Sequence, residues 1–516
     1  MKQHRFSILI ILGLGLLTGA TSCKKDLQDV IPQDQISTSL TLSDPNAAQT
    51  LYSGVYASLR GYNSTLFALG EMRSEIWTDG LFTESVDGGL SQYYTHNISA
   101  LNVPANNWGG FYNLLYQVNN VINLYPQVSV LSSAVKNQAL AEMYGLRAYI
   151  YYTMLRTWGD VPLNTTPIST INNAAQTYKA RTKVDSIMLQ IKNDINQSLT
   201  LFNGNNALPA GKRVYWNRLA TLSLKGDVYL WSGTLMGGGT NDLNTALAAL
   251  QELEGLQSAT LNLDANYADI FDPTKKANNP EIIFALNYEL NQAQMGTFGS
   301  FQVNSIQATT LSFQQVPNAP TVSSIYPYVN GANRCGMNQN MINKLTSGPA
   351  DQRINGSFKV MYSTSAPYAT RGVLLTKWIG STSGTTQVYN NDYPIYRYAE
   401  ILLMAAEAKA KLGQDPSAEI NQIRQRAYGA TYIPYVNSTI DDNIQAVLEE
   451  QLREFIGEGK RWFGLRRAGD KWVFKYVDPK YLSPATVNSG KGPTFLLPIS
   501  MSMLNNDPLL TQTTGY

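Results

Sequence analysis

The chain has 516 residues, of which only 15% are charged, with 39 Lys and Arg against 37 Asp and Glu. A balance so close to zero leaves no clustered basic excess for nucleic acid. Two cysteines exclude a disulfide framework and a Cys-rich zinc site, two histidines leave little for His-dependent catalysis or a His-rich metal centre, and the surplus is 31 tyrosines.

The first residues read as an export signal. Lys2 and Arg5 make a basic n-region, residues 6–17 are an almost unbroken apolar run, and residues 18–22 are small or polar. The run falls short of the ~20 residues that a membrane-spanning helix needs. Cys23 follows directly and resembles the acylated cysteine of a bacterial lipoprotein box, with Ala20 where Leu is usual. On this reading residues 1–22 are removed and 23–45 form a lipidated flexible tether. Removing Lys2 and Arg5 takes the formal charge from +2 to zero, with His96 and Cys335 the remaining histidine and free thiol.

Hydrophobic period then predicts a series of helices. Residues 46–62 follow Ser43-Asp44-Pro45, an N-cap with proline in the first turn. Residues 105–125 line up Trp108, Phe111, Leu114, Leu115 and Val118. Residues 134–158 carry two apolar seams, so neighbours must pack on both sides, as in a helical solenoid. Gly159-Asp160-Val161-Pro162 stops that helix. Helices follow at 183–202, 215–235 and 242–256, and Trp216-x-x-Leu219-Ala220 loosely resembles the start of a tetratricopeptide repeat. Ile282–Leu286 reads as a short strand, and 396–412, 417–428 and 441–467 as helices.

Between these lie long polar stretches at 73–104, 291–333 and 355–392. They hold Trp77, Phe298, Phe301, Phe313, Tyr326 and Tyr328. Disordered segments are poor in aromatics and long loops in compact proteins are commonly functional, so these stretches read as binding loops. His96, in Tyr93-Tyr94-Thr95-His96-Asn97, reads as a surface or ligand-contacting side chain, and Cys335 as a buried, inert thiol. Gly211-Lys212-Arg213 lacks the spacing and Ser/Thr of a P-loop, and Gly380-Ser-Thr-Ser-Gly384 puts Thr382 where a hydrolase needs its serine. No cofactor or metal is implied.

Three segments carry a resemblance. Arg147-Ala-Tyr-Ile-Tyr-Tyr-Thr-Met-Leu-Arg-Thr-Trp-Gly-Asp160-Val-Pro-Leu163, Tyr396-Arg-Tyr-Ala-Glu400-Ile-Leu-Leu-Met-Ala-Ala-Glu407-Ala, and the run from Glu450 to Arg467 resemble, in order, the signatures of SusD/RagB-like proteins. The tail from Leu497-Pro498-Ile499 to Gly515-Tyr516 is similar to the family's usual ending. Gln451, Gly457 and Gly464 depart from the family's common Arg, aromatic and Asp. The resemblance implies a mainly α fold: tetratricopeptide-like helix pairs in an α-α superhelix, with long irregular loops and a few short strands. It implies an N-terminal helical region over 46–256 and a RagB/SusD C-terminal region over 257–516 with ligand-facing loops. It further implies an outer-membrane lipoprotein, anchored on the extracellular face, that binds a glycan or in some members a peptide. The implied partner is a SusC-like TonB-dependent transporter, and no enzymatic chemistry is implied.

Within the signatures Glu400 and Glu407 share one helix face, and Arg453, Arg461 and Arg466 are the expected partners, because a buried carboxylate needs a cation. A sugar offers apolar C–H faces and hydroxyls, so its site needs aromatic platforms and planar polar groups. Trp77 and Asp79 in the first polar stretch, with Arg73 upstream, and Tyr326 and Tyr328 in the second are the expected ligand-binding residues. A glycoside-acting enzyme is the rival from another class and needs two carboxyl groups ~5–9.5 Å apart in a cleft. A bare helical scaffold would need no aromatic loops.

Overall fold

A computed structural model describes residues 38–80, 86–105, 108–168 and 173–516. The signal segment and Cys23 lie outside the described residues. The last part of the expected tether is ordered: Thr38–Ser43 is helical, buries Thr41 and packs on the helix that follows.

The architecture is mainly helical. Helix α1 (Pro45–Arg60) begins as expected, with the Asp44 carboxylate accepting from Asn46 N at 2.8 Å and Pro45 in the first turn. A short α2 (Asn63–Glu71) follows, then α3 (Gly109–Leu124), α4 (Ser133–Trp158), α5 (Val184–Phe202), α6 (Arg218–Leu235) and α7 (Gly239–Glu254). Each of α3 to α7 packs on the next, and α7 hands over to α8 (Tyr398–Lys411), which α9 (Ser417–Tyr428) and α10 (Ile440–Glu454) flank. This is the helix-pair superhelix that the two seams of α4 require: from Ala139 to Trp158 that helix is buried all round except at Tyr144. Gly159 turns the chain at φ 72°, and the Asp160 carboxylate then accepts from Val184 N at 2.8 Å, so the same motif ends α4 and caps α5.

Strands are few and short. Ile282–Leu286 forms where expected (β2) and pairs antiparallel with β9 (Tyr393–Arg397). Strand β1 (Trp77–Asp79) pairs with β4 (Cys335–Met337). Strands β3 (Leu311–Ser312), β5 (Lys359–Ser363) and β6 (Thr370–Leu374) make a three-stranded sheet, and β7 (Ser381–Ser383) with β8 (Thr386–Val388) a hairpin. The main hydrophobic core runs from Ala48 to Ile499, and a smaller second core, including Val303, Leu311, Val329, Met361 and Leu374, lies under the three-stranded sheet. No helix among the described residues is long and apolar enough to cross a membrane.

The expected single helix over 441–467 is two helices. Helix α10 ends at Glu454, the chain turns through Gly457 (φ 78°) and Gly459 (φ 71°), and α11 spans Arg461–Ala468. Left-handed backbone at both positions favours glycine, which accounts for Gly457 in place of the family's aromatic. The other two departures answer each other: a Cβ on Gly464 would lie 2.9 Å from Gln451 Oε1, so the longer side chain packs where the shorter leaves room.

The signature carboxylates are ion-paired, but to other partners than expected. Glu400 meets Lys460, and Glu407 meets Arg467, whose other arm reaches Asp227 at 2.6 Å. Arg461 pairs with Glu75 at 2.6 Å, while Arg453 and Arg466 face Glu449 and Asp470 on their own segments. At the centre, Arg397 at the end of β9 binds Glu454 at 2.7 Å, Glu458 at 2.8 Å and Glu281. Arg353 joins Asp351 and Glu450, both at 2.7 Å, and Arg426 joins Glu281 and Glu454. These groups are buried, so each charge is retained only because its partners replace water. Surrounding guanidinium groups hold Glu454 down at about 2.

Candidate ligand-binding site

The network also holds the chain that leads into the β7–β8 hairpin. Lys377 Nζ donates to Glu458 Oε1 at 2.9 Å and to Ile456 O at 2.8 Å. Next to it Trp378 stacks on Phe298, centroids 4.9 Å apart, and its Nε1 donates to Gly457 O at 3.1 Å. These anchors pin the chain where it enters the β7–β8 hairpin. The hairpin closes through the two-residue turn Gly384-Thr385, with Gly384 at φ 58°.

Opposite the hairpin, the short helix Val322–Ile325 ends at Tyr326, whose N donates to Val322 O at 2.8 Å. Tyr326 and Tyr328 then line one cleft of about 510 Å³ with Pro327, Ile379, Ser381 and Gln387. That size lies in the ~300–1,000 Å³ range of small-molecule sites. Tyr326 meets Phe313 edge to face at 6.0 Å, and Lys359 Nζ lies 5.7 Å from its ring centre. Gln387 is held by its own donation to Ile379 O at 2.8 Å. Among the described residues, the hydroxyls of Tyr326, Tyr328 and Thr382 have no hydrogen-bond partner.

The structure brings Tyr326 and Tyr328 together and separates them from the other three expected residues. Trp77 is a core residue and not an exposed platform: it is 4% exposed, meets Phe301 edge to face at 4.9 Å, and its Nε1 donates to Glu71 Oε1 at 3.1 Å. Glu71 in turn accepts from Gly457 N at 2.7 Å and Gly459 N at 2.8 Å, so Trp77 braces the turn on which Trp378 rests. Burial pushes the Glu71 carboxyl up to about 7. Arg73 is likewise in the core, at 2% exposure: it donates to Phe495 O at 2.7 Å and to Thr494 O, and its guanidinium lies 4.3 Å over the Trp462 ring. It clamps the C-terminal tail rather than a ligand, and burial pulls it down to about 10. Asp79 is exposed at the end of β1, accepts from the Tyr94 hydroxyl at 2.5 Å, and does not line the tyrosine cleft.

His96 is also a core residue and not a surface one. It is 3% exposed, packs beside Trp462 and Tyr481, and its Nε2 lies 3.0 Å from Arg73 O. Burial and the Arg73 charge hold its imidazole well below the usual range, in the neutral form. Cys335 is fully buried, as expected, and burial pushes its thiol well up. What the sequence missed at the cleft is the hairpin: Ser381, Thr382 and Gln387 sit in a Ser/Thr-rich run whose alternation is the only local signal of a strand.

Two family models match the chain, one described as "SusD family" over residues 361–516 and one as "Starch-binding associating with outer membrane" over residues 31–223. Among solved structures, B. fragilis NanU is 32% identical with a TM-score of 0.83, covering 94% of this chain and 100% of that one. SusD-like protein P38 of Formosa agariphila is 24% identical over 90% of this chain and 91% of its own length. The starch-binding protein SusD of Bacteroides thetaiotaomicron is 29% identical over a shorter stretch, 28% of this chain and 26% of its own. A solved relative matched end to end at this identity, with the two family models on either half, makes the chain a member of the SusD/RagB-like family.

Proposed function

We propose that the protein is an outer-membrane lipoprotein, anchored through Cys23 on the extracellular face, that binds a glycan and delivers it to a SusC-like TonB-dependent transporter without altering it. The observation that carries the reading is the cleft lined by Tyr326 and Tyr328: two aromatic rings and three hydroxyls without a partner among the described residues, beside a glutamine amide. Rings cover the C–H face of a sugar and the polar groups read its hydroxyls. The family description of starch binding and outer-membrane association supports both the ligand class and the location. A non-catalytic role is supported by the fate of the buried carboxylates: Glu281, Glu450, Glu454 and Glu458 are each held by arginine or lysine. Glu71 and Glu142, which burial pushes up to about 7, are enclosed by Trp77 with two backbone amides and by Tyr52, Tyr56 and Gln138, and neither is among the residues that line the Tyr326–Tyr328 cleft, so neither offers a general acid to a sugar there.

The test is incubation with a panel of oligosaccharides, following heat of binding and product formation together. Heat without cleavage is expected; cleavage would make the protein an enzyme, and binding of peptides alone would replace the ligand class. Membrane fractionation of Cys23→Ala checks the anchor, with release from the membrane expected and retention counting against it.

A further inference from the structure

A second cleft, of about 640 Å³, lies on the helical scaffold between α3, the segment after α4 and the tail at Asp507 and Leu510. It shares no lining residue with the Tyr326–Tyr328 cleft. Its wall is built on buried bonds. The Tyr112 hydroxyl donates to Pro162 O at 2.5 Å, and Asn119 Nδ2 to Asn164 O at 3.0 Å. Arg147 holds Asn119 Oδ1 at 3.0 Å while gripping Asp194 through two bonds of 2.8 and 2.7 Å. Lys179 closes the edge, with its Nζ 2.8 Å from Asn164 Oδ1 and its N donating to Asp507 Oδ2 at 3.0 Å.

On this wall two polar side chains of α3, Asn113 and Tyr116, face outward. Tyr112, Asn113 and Tyr116 fall on one face of α3, since residues three and four apart are neighbours. Tyr116 is 49% exposed, and Asn113 is exposed too. Among the described residues neither the Tyr116 hydroxyl nor the Asn113 amide has a hydrogen-bond partner. Among the described residues the charged lining is one lysine and one aspartate, whose charges sum to zero: the Asp507 carboxylate accepts from the Lys179 backbone N, and the Lys179 ammonium donates to Leu163 O and Asn164 Oδ1. Among the described residues its walls are helix and irregular chain, with no strand edge on which a peptide backbone could pair.

We propose that this cleft is a second saccharide site, taking a neutral sugar unit against the Tyr116 ring with Asn113 reading its hydroxyls. The proposal rests on the glycan-binding reading above and adds a site to it. Two sites on one chain hold a glycan long enough to reach both more tightly than either holds a short one, because the second contact becomes intramolecular.

The test uses maltohexaose, laminarihexaose, xylohexaose, mannohexaose and their trisaccharides in calorimetric titrations of the full chain. Three proteins are compared: the parent, Tyr116→Ala/Asn113→Ala, and Tyr326→Ala/Tyr328→Ala. For whichever sugar binds, the parent should take two trisaccharides, each variant should take one, and each variant should weaken retention on the matching polysaccharide at least tenfold. All four substituted side chains are at least half-exposed or line an open cleft, and circular dichroism confirms that the variants are folded. A parent stoichiometry of one that Tyr116→Ala/Asn113→Ala leaves unchanged overturns the second site and leaves the proposed function standing. Binding lost only in the Tyr116→Ala/Asn113→Ala protein supports this site and removes the first. No binding to any of these sugars overturns both.

Discussion

Replacing Trp77 separates a core role from a ligand role. The indole is 4% exposed and wedged between Phe301 and Phe67, ring centres 4.9 and 6.1 Å away. Trp77→Ala removes a whole buried aromatic from a wall that cannot close fully, at a cost of about 3–5 kcal/mol. Trp77→Phe keeps most of the ring but withdraws the donor from Glu71, leaving a buried carboxyl with only its two backbone donors, at about 1–2 kcal/mol. The assay is guanidinium unfolding followed by near-ultraviolet circular dichroism, with oligosaccharide binding measured on the folded fraction at low temperature. Midpoints should fall in the order parent, Phe, Ala, and the folded fraction of both variants should still bind. A Trp77→Ala protein with the parent midpoint and no binding would refute the core placement and restore Trp77 to the ligand site.

Other outcomes follow from the buried groups. Burial raises the Glu142 carboxyl from 4.5 to about 7, although Tyr52, Tyr56 and Gln138 donate to it. The unfolded chain therefore gives up this proton first, so the stabilising contribution is full below pH 4.5 and declines as pH rises to about 7, by about 3 kcal/mol in all. Glu142→Gln should flatten the midpoint-versus-pH curve across that window, and an unchanged slope would count against it. Arg397→Met removes the cation shared by Glu281, Glu454 and Glu458, leaving Arg426 and Lys377 as their nearest partners, and should cost about 3–5 kcal/mol; Arg397→Lys, which cannot reach three carboxylates at once, should recover little of that in urea midpoint. Cys335 should react with a thiol reagent only after denaturant is added, and fast reaction in the native state would contradict its burial.

The helices were legible because their burial repeats along the chain: α4 shows its two seams in sequence, and Asp44-Pro45 marks the start of α1. Strand β2 was legible as an apolar run between polar flanks. The break between α10 and α11 was hidden in a segment rich in helix formers, where only the paired Gly457 and Gly459 signal it. Trp77, Arg73 and His96 misled for a common reason: polar neighbours in sequence suggest a loop at the surface. Their burial is set by distant chain, since β4 covers Trp77 and Thr494–Phe495 covers Arg73 and lies near His96. The ion-pair partners were illegible on the same grounds, because Arg353, Lys377 and Arg397 reach the signature glutamates only after folding. Much of the tyrosine surplus is likewise scaffold: Tyr151, Tyr152, Tyr267, Tyr393 and Tyr398 are fully buried.

Whether Tyr326 and Tyr328 form a sugar-stacking cleft is decided by calorimetric titration of Tyr326→Ala/Tyr328→Ala with an oligosaccharide bound by the parent. If stacking on nucleobases is a guide, each ring contributes about 1–3 kcal/mol. The double variant should lose at least tenfold in affinity at this cleft, with the unfolding midpoint little changed because both side chains are only half-buried. Parent-like affinity and stoichiometry in a folded double variant would contradict it.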